Sequence, residues 1–319
     1  MHKFFSIASV CVFVVSLAIN AYFFNSYVRT LDLVTGQRNY EAALKKYPRL
    51  APRTLQDKHG DFLLNFLALR SKLHQITDPL GDDMELYFEY LPTGTSIGIN
   101  SGNNFFAASL FKLPVVMAYF KHKERVTAGS DYKVKLTKDM LDNRFGDLWQ
   151  KGEGYELDLD EAARLALEKS DNTAAKALGT IITQEDFDDV YLGVDVDLQI
   201  ASEGAVMTTK KYSSILKALY YSAVLTRDDS QLILDYLTKS EFNDKLVAGI
   251  PPDVKVAHKI GVIEDKAYMD CGIVYVPYRP YSLCLVSQGT EDVARSRMSS
   301  ISKTIYEYVV SAKSPDSGK

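Results

Sequence analysis

A serine and a lysine three positions apart, Ser109 and Lys112, are the residues of this chain best suited to covalent chemistry. A serine hydroxyl is a weak nucleophile until a base accepts its proton. Positions i and i+3 of a helix share one face, so Lys112 can reach Ser109. Burial in a cleft beside a second cation disfavours the charged ammonium and lets a lysine act as that base. The pair predicts a nucleophile, Ser109, and a general base, Lys112.

Spacing alone does not single out this pair, because three other pairs share it: Ser130/Lys133, Ser214/Lys217 and Ser300/Lys303. The context of Ser109 differs from theirs. It follows the segment 104–108 and begins an apolar helix with Pro114 in its first turns. Small residues before the serine allow it to lie at a buried helix start, where main-chain donors and the helix dipole stabilise a developing anion.

The sequence Ser170-Asp171-Asn172 is a second candidate for the same site. All three residue types are good helix N-caps, and capping alone accounts for the motif when it is taken in isolation. The functional interpretation makes Ser170 a proton shuttle towards the leaving group and gives Asn172 a hydrogen bond to a substrate amide. The sequence leaves both interpretations open.

The third candidate, Lys259-Ile260-Gly261, lies towards the end of a predicted strand. A lysine there can bind a substrate carboxylate and keep Lys112 and Ser170 in states with fewer protons. Gly261 would let a substrate backbone lie against the strand. The alternative is an exposed lysine at a strand end, beside a bulge glycine.

These residues need a scaffold that brings distant segments of the chain together. The patterning predicts strands over 85–91, 96–99, 254–263, 271–276 and 281–286, and helices over 56–77, from near Ser109, over 158–167, 172–182, 210–225 and 291–312. Strands at both ends and helices between them favour a sheet built from two distant segments with an inserted helical region. The site would then lie where the sheet meets the insert.

The N-terminus differs in composition from the rest of the chain. Residues 4–24 are almost wholly apolar, which is about the length that crosses a bilayer as a helix. A cleaved signal peptide is the alternative, but apolar residues continue past the small residues at 16–18, so an anchor is favoured. The predicted organisation is an anchor over 1–28, a stalk over 29–55, a catalytic domain over 56–312 and a polar tail over 313–319. The catalytic domain is expected outside the cytoplasm, at the membrane.

Composition limits the remaining function classes. The chain of 319 residues is 46% hydrophobic with a net charge of −4, which indicates a globular protein and argues against nucleic-acid binding. His258 has no triad or metal cluster around it in the sequence pattern, so no metal or other cofactor is expected. Cys271 and Cys284 fall on neighbouring predicted strands where a bridge can form, but the pattern favours buried free thiols.

Taken together, the three motifs resemble those of the class A β-lactamase and penicillin-binding protein superfamily, over about residues 56–312. Their order, their separations of 61 and 89 residues and their helix, helix and strand placement agree with that family. The segments 106–115 and 170–175 are especially similar to it. The resemblance implies an α/β (α+β) fold, with an antiparallel five-stranded sheet flanked by helices and an inserted all-helical subdomain.

The resemblance also implies roles for individual residues. Ser109 would form the acyl-enzyme with Lys112 as base, Ser170 would relay the proton and Lys259 would recognise the substrate carboxylate. The main-chain N–H groups of Ser109 and Val262 would form the oxyanion hole. Residues implied at the substrate are Asn172, Lys259, Gly261 and Val262, with Phe145 or Trp149 as an aromatic cleft wall.

Two features depart from that family. Class A β-lactamases carry a loop glutamate that activates the deacylating water. Here residues 191–208 cover that region, and Glu203 is the only glutamate among them and a weak candidate for the base. Ile260 stands where a hydroxyl residue would bind the substrate carboxylate, and losing such a bond costs about 1.5–3 kcal/mol.

Three hypotheses follow from these motifs and departures. The leading one is a membrane-anchored serine hydrolase that acylates Ser109 with β-lactams or related amides and deacylates slowly. The second is a D,D-peptidase-type penicillin-binding protein that acts on peptidoglycan stem peptides. The third is a non-catalytic binding module that keeps the fold.

Overall fold

The computed structural model describes residues 2–46, 64–126, 132–194, 196, 199–201 and 204–312. The chain divides into two compact units, Met1–Leu63 and Leu64–Lys319. The first unit contains one described helix, α1 (His2–Lys46). Within the described residues, no helix combines the length and the apolar character needed to cross a membrane.

Helix α1 continues through much of the segment that the sequence predicted as a stalk. Its C-terminal part, from Gln37 to Lys46, is rich in Ala, Leu, Glu, Lys and Arg, which are good helix formers. Propensity thus extends the helix beyond the apolar run. The rest of the predicted stalk, residues 47–55, and the polar tail over 313–319 lie outside the described residues.

A five-stranded antiparallel sheet forms the centre of the second unit. Its strands, in spatial order, are β2 (Thr95–Ile99), β1 (Met84–Tyr90), β10 (Tyr281–Gln288), β9 (Ala267–Val274) and β8 (Val256–Ile263). Two distant chain segments therefore build one sheet, which confirms the predicted fold class. β8 lies at one edge, so half of its main-chain groups face away from the sheet ladder.

The described residues of the second unit form eight helices: α2 (Leu67–Thr77), α3 (Lys112–Arg125), α4 (Leu159–Glu168), α5 (Asn172–Leu178), α6 (Gln184–Leu192), α7 (Thr209–Tyr220), α8 (Arg227–Leu237) and α9 (Glu291–Ser311). α9 packs on one face of the sheet together with α2. α7 packs on the other face, against β1, β9 and β10, and the helices of the insert extend from there. Each face has its own apolar core.

Three helix boundaries differ clearly from the prediction, one of them the end of α5 at Leu178, four residues before the predicted end at 182. α2 begins at Leu67, whose N–H donates to the Asn65 side chain at 2.9 Å. The predicted helix over 210–225 ends at Tyr220, because the chain turns through a positive φ of 49° at Ser222. The next helix, α8, is capped by Thr226.

A small second sheet, one strand of which directly precedes the nucleophile turn, was not predicted from the sequence. β3 (Phe105–Phe106) pairs antiparallel with β7 (Gly204–Met207), and β7 pairs with β6 (Gln199–Ala201). β4 (Lys133–Lys135) and β5 (Glu156–Asp158) form a further two-stranded ribbon. Strands this short carry too few residues for an alternation of apolar and polar side chains to be recognised.

Cys271 and Cys284 form a disulfide, which corrects the expectation of free thiols. They lie directly opposite each other on β9 and β10, with their Cα atoms 3.9 Å apart. This register follows from strand pairing and could not be read from two isolated strand patterns. Lys259 lies opposite Cys271 on β8, so the bridge joins the strands beside the third motif.

Candidate active site

The turn that carries Ser109 is fixed on both sides by main-chain contacts. The Ala107 N–H donates to the Ala205 carbonyl at 2.8 Å, which extends the pairing of β3 with β7. A short 3₁₀ turn, Ala108–Phe111, follows, and α3 begins directly after it at Lys112. Ala108 has a positive φ of 44°, a conformation that costs a non-glycine residue about 1–3 kcal/mol and is found most often at functional sites.

Two further residues hold this turn in place. The buried Tyr212 hydroxyl of α7 donates to the Leu110 carbonyl at 3.1 Å. Gly261 of β8 lies so close that an added Cβ would be 3.0 Å from the Ala107 carbonyl oxygen and 3.2 Å from the Leu110 side chain. Glycine at this position therefore lets the edge strand pack against the nucleophile turn, a contact that the sequence did not indicate.

Lys112 points across the cleft towards the second motif. Its ammonium donates to the Ser170 carbonyl, to Ser170 Oγ at 3.1 Å and to Asn172 Oδ1 at 2.6 Å. Burial lowers the pKa of Lys112 to about 8, against the opposing influence of Asp171 and Asp142. Among the described residues no hydrogen bond joins Lys112 to Ser109; catalytic hydrogen bonds commonly shorten only when substrate binds.

Ser170 joins the two lysines of the motifs. Lys259 Nζ donates to Ser170 Oγ at 2.9 Å, on the side opposite Lys112. Lys259 is fully buried, and burial followed by the neighbouring Lys112 charge holds its pKa well below the usual range. Ser170 has a positive φ of 54° and is itself fully buried. One hydroxyl thus contacts two amines whose charged forms are both disfavoured.

Asp171 supplies the capping that the second motif predicted. Its Oδ1 accepts the Ala174 N–H at 2.9 Å at the start of α5, and its Oδ2 accepts the Leu148 N–H at 2.9 Å. Gly146, at φ 82°, passes so close that an added Cβ would be 2.0 Å from Asp171 Oδ2. Capping and chemistry are therefore divided within the motif: Asp171 holds the backbone, while Ser170 and Asn172 face Lys112.

Asp142 is a site residue that the sequence did not reveal. Its carboxylate accepts from Arg144 Nη2 at 2.6 Å and from Asn172 Nδ2 at 3.0 Å, and Lys176 lies 3.2 Å away. The Arg144 guanidinium, more than any other group, holds the Asp142 pKa well below its usual range. Asp142 thereby orients the amide of Asn172, whose oxygen receives Lys112. No sequence motif marks Asp142, because its partner Asn172 lies 30 residues further along the chain.

The nucleophile opens into a cavity of about 420 Å³, which we call the nucleophile cavity. Its described lining consists of Ala108, Ser109, Phe111, Lys112, Val115, Asp142, Arg144, Phe145, Asn172, Ala175, Lys176 and Val262. Phe145 forms a wall, with the Lys112 Nζ 6.0 Å from its ring centroid. Trp149 is not among the lining residues and is 37% exposed. Glu203 lies outside the described residues.

A second cavity of about 820 Å³, the outer cavity, adjoins the first. The two share Arg144, Phe145 and Val262. Ile260 lines the outer cavity, whereas Lys259 lines neither. Consecutive residues of a strand point to opposite faces, which explains why these two neighbours differ.

His258 pairs with Asp270 in the interior of the protein. Its Nδ1 lies 2.8 Å from Asp270 Oδ1, and the Asp270 carboxylate also accepts the Leu246 N–H at 3.0 Å. Both His258 and Asp270 are buried. Over the described ranges of the chain, no group of three or more His, Cys, Asp or Glu side chains could hold a metal ion.

Comparison with known proteins identifies a family and a shared fold. The sequence model of the Beta-lactamase enzyme family matches residues 68–309, about three quarters of the chain. No curated protein matches the chain in sequence. Among solved structures, an acyl-enzyme complex of a PBP-A mutant with penicillin G matches at a TM-score of 0.68. The identity is 20%, over 75% of this chain and 95% of that one.

Two lactamase structures align equally well. A β-lactamase from Sphaerobacter thermophilus has a TM-score of 0.69 and 16% identity, over 75% of this chain and 97% of that one. A class A β-lactamase from Mycobacterium abscessus has a TM-score of 0.68 and 15% identity, over 76% of this chain and 99% of that one. Identities this low establish the shared fold alone.

Proposed function

Because the chain belongs to the Beta-lactamase enzyme family, we propose that it is a serine hydrolase that forms an acyl-enzyme on Ser109 with β-lactams or related amides. The observation that carries this proposal is the contact of two lysines with one serine hydroxyl beside the nucleophile turn. Lys112 and Lys259 lie 3.1 Å and 2.9 Å from Ser170 Oγ. Burial of both amines favours their neutral forms, and a neutral amine can accept a proton.

The proposed acylation transfers one proton and exchanges one bond. Neutral Lys112 accepts the Ser109 hydroxyl proton as Oγ attacks the carbonyl carbon. The main-chain N–H groups of Ser109 and Val262 stabilise the oxyanion that forms. Ser170 then passes the proton held by Lys112 to the leaving nitrogen as the C–N bond breaks. The products are the ester on Ser109 and the protonated amine, which stays tethered when the substrate is a β-lactam.

Slow deacylation is the expected next step, which makes a D,D-peptidase-type penicillin-binding protein the second candidate. The observation that favours it is the state of Asp142, the one carboxylate in the described lining of the nucleophile cavity. Arg144, Lys176 and Asn172 all engage it, and its pKa is held low. A carboxylate so strongly stabilised as an anion is a poor base for activating water.

Intact-mass measurements with benzylpenicillin test the acylation. We expect an adduct on wild-type protein and none on Ser109→Ala. Ser300→Ala is the matched control, because Ser300 has the same Ser-x-x-Lys spacing and is exposed. A wild type that gains no mass with benzylpenicillin or with a broad serine-reactive probe would leave the binding-module hypothesis in its place.

Time courses separate the two hydrolase candidates. An adduct that persists for hours supports the peptidase-type behaviour, and release of a stem-peptide D-alanine would support it directly. Rapid clearance supports a lactamase. Clearance at the same rate in Glu203→Gln would remove Glu203 as the deacylation base.

Membrane attachment rests on the sequence alone and stays a prediction. Fractionation of cells that express the full chain or a chain lacking residues 1–28 tests it. The prediction requires the full chain in the membrane fraction and the shortened chain outside it.

A further inference from the structure

The outer cavity lies where the leaving-group end of a substrate would extend. Ser170, the proposed proton donor to the leaving group, contacts Lys259 of β8. The next residue, Ile260, lines the outer cavity, and Val262 lines both cavities. A substrate acylating Ser109 would therefore place its departing portion along β8 and into the outer cavity.

This part of the wall offers no free donor to a carboxylate. Ile260 is 2% exposed and its side chain carries no polar atom. Lys259 is fully buried, and its amine contacts Ser170 Oγ and the Ile260 carbonyl. An anionic end group in the outer cavity would meet a hydrocarbon side chain where it needs a hydrogen-bond donor.

The two cations in the described lining of the outer cavity already have anionic partners. Arg144 donates through Nε and Nη2 to both oxygens of Asp142. Lys245 is buried and pairs with Asp244 at 2.9 Å and with Glu291 at 3.4 Å. The Lys245 charge is therefore balanced, whereas Arg144 shares the single carboxylate of Asp142 with Lys176.

Carboxylates outnumber these cations in the same described lining: Glu241, Asp244, Glu264, Asp265 and Glu291. Glu264 and Asp265 lie on the exposed turn between β8 and β9, where no other described side chain forms an ion pair with them. Glu241, on the opposite rim, has Lys169 at 3.8 Å, a long and weak ion pair. The unbalanced charge around the cavity mouth is negative.

We propose that the outer cavity favours substrates whose leaving group ends in a cation or an uncharged amide, and that it slows, without preventing, acylation by substrates whose leaving group carries a free carboxylate, benzylpenicillin among them. The proposal rests on the proposed acylation of Ser109 and specifies its substrate class. Like charges brought together at a rim oppose binding, while Ile260 removes the hydrogen bond that would compensate. The preference for a cation or an amide and the discrimination against a carboxylate therefore follow from the lining of the outer cavity.

A matched set of thioesters tests this selectivity. All three carry the same acyl group, and their leaving thiols end in a carboxylate (mercaptoacetate), an amide (mercaptoacetamide) or an ammonium (cysteamine). Thiol release and the Ser109 acyl adduct are measured on the full chain, with the Ser109→Ala rate subtracted as background. We expect kcat/KM to be highest for the ammonium and at least about tenfold lower for the carboxylate, with the difference shrinking in 0.5 M salt.

Variants distinguish the cavity from net charge. Glu264→Gln combined with Asp265→Asn should reduce the preference severalfold, and asparagine tolerates the positive φ of 55° at position 265. The control, Glu153→Gln combined with Asp253→Asn, removes the same charge at exposed positions that line neither cavity and should leave the preference unchanged. Ile260→Thr should raise the carboxylate rate selectively.

The outcomes distinguish the selectivity for the leaving group from the acylation of Ser109 itself. Equal rates, or a preference for the carboxylate, overturn the selectivity while leaving acylation of Ser109 intact. An equal loss of preference in both charge variants also overturns the assignment to the outer cavity. Absence of an adduct with all three thioesters and with benzylpenicillin refutes the proposed function itself, and this inference with it.

Discussion

The nucleophile cavity and the outer cavity share a wall but differ in how their side chains are held. Beside the first, Lys112 and Lys259 are buried and both contact the buried Ser170 hydroxyl. In the second, Glu264 and Asp265 are exposed on a hairpin turn. Buried residues in mutual contact cannot change singly without cost, whereas exposed turn residues can.

This difference separates chemistry from selectivity in the molecule. The buried contacts beside the nucleophile cavity join α3, β8 and the residues just before α5. All three segments must be correctly placed for the Ser170 hydroxyl to contact the amines of Lys112 and Lys259. The rim of the outer cavity needs only loops that project the right charge. We therefore expect changes in the inner group to alter the rate for every substrate, and changes at the rim to alter the order among substrates.

The largest effect is expected from Lys112→Met, which removes the proposed base from the nucleophile cavity. Penicillin labelling should slow by about 10²–10⁴-fold, the usual contribution of a positioned general base. Lys303→Met is the control, because Lys303 belongs to a Ser-x-x-Lys pair on the exposed face of α9. A labelling rate within a factor of two of the wild type would exclude Lys112 as the base.

Lys259→Met tests whether the buried lysines are retained for function at the expense of stability. Burying an amine disfavours its charged form, so an apolar side chain of similar length should raise the melting temperature by a few degrees. Labelling should fall by about 100-fold, since Ser170 loses one of its two partners. The exposed Lys255, mutated to Met, should change neither quantity. A destabilised Lys259→Met protein would contradict this argument.

The pH dependence of labelling should report the lowered pKa of Lys112. The neutral amine is the base, so labelling rises with pH and levels off above about 8. Between pH 6 and 8 the increase should be roughly 50-fold for one titrating group. In the unfolded chain this lysine keeps its proton up to its ordinary pKa of 10.5, so the free energy of unfolding should also rise between pH 8 and 10.5. A labelling rate that is flat from pH 6 would contradict the role of Lys112.

The sequence predicts the sheet and the bonded core of the site, because both depend on local pattern. Apolar and aromatic strand segments near both ends of the chain predicted a sheet built from two distant segments. The motifs of Ser109, Ser170 and Lys259 each combine residue type with helix or strand position. Spacing could not single out the Ser109/Lys112 pair, whereas the structure shows that its lysine contacts the second motif.

Other parts of the site depend on long-range pairing that no local pattern encodes. Asp142 reaches Asn172 across 30 residues, and Ala205 holds Ala107 through a main-chain bond. The acidic rim was also missed, since its carboxylates come from three separate segments and look like ordinary solvated charges. The bridging of Cys271 to Cys284 required the register of β9 on β10.

The smallest expected effect concerns Gly261, the neighbour of Val262, which lines both cavities. An added Cβ would be 3.0 Å from the Ala107 carbonyl oxygen, and also 3.2 Å from the Met269 methyl group. Gly261→Ala should therefore push β8 away from the nucleophile turn, lowering stability by about 1–3 kcal/mol and slowing acylation of all three thioesters alike. Gly102→Ala is the control, because nothing lies within 4 Å of its added Cβ. If Gly261→Ala instead reorders the thioesters at an unchanged melting temperature, the glycine serves substrate selection, and the division between the two cavities fails at this residue.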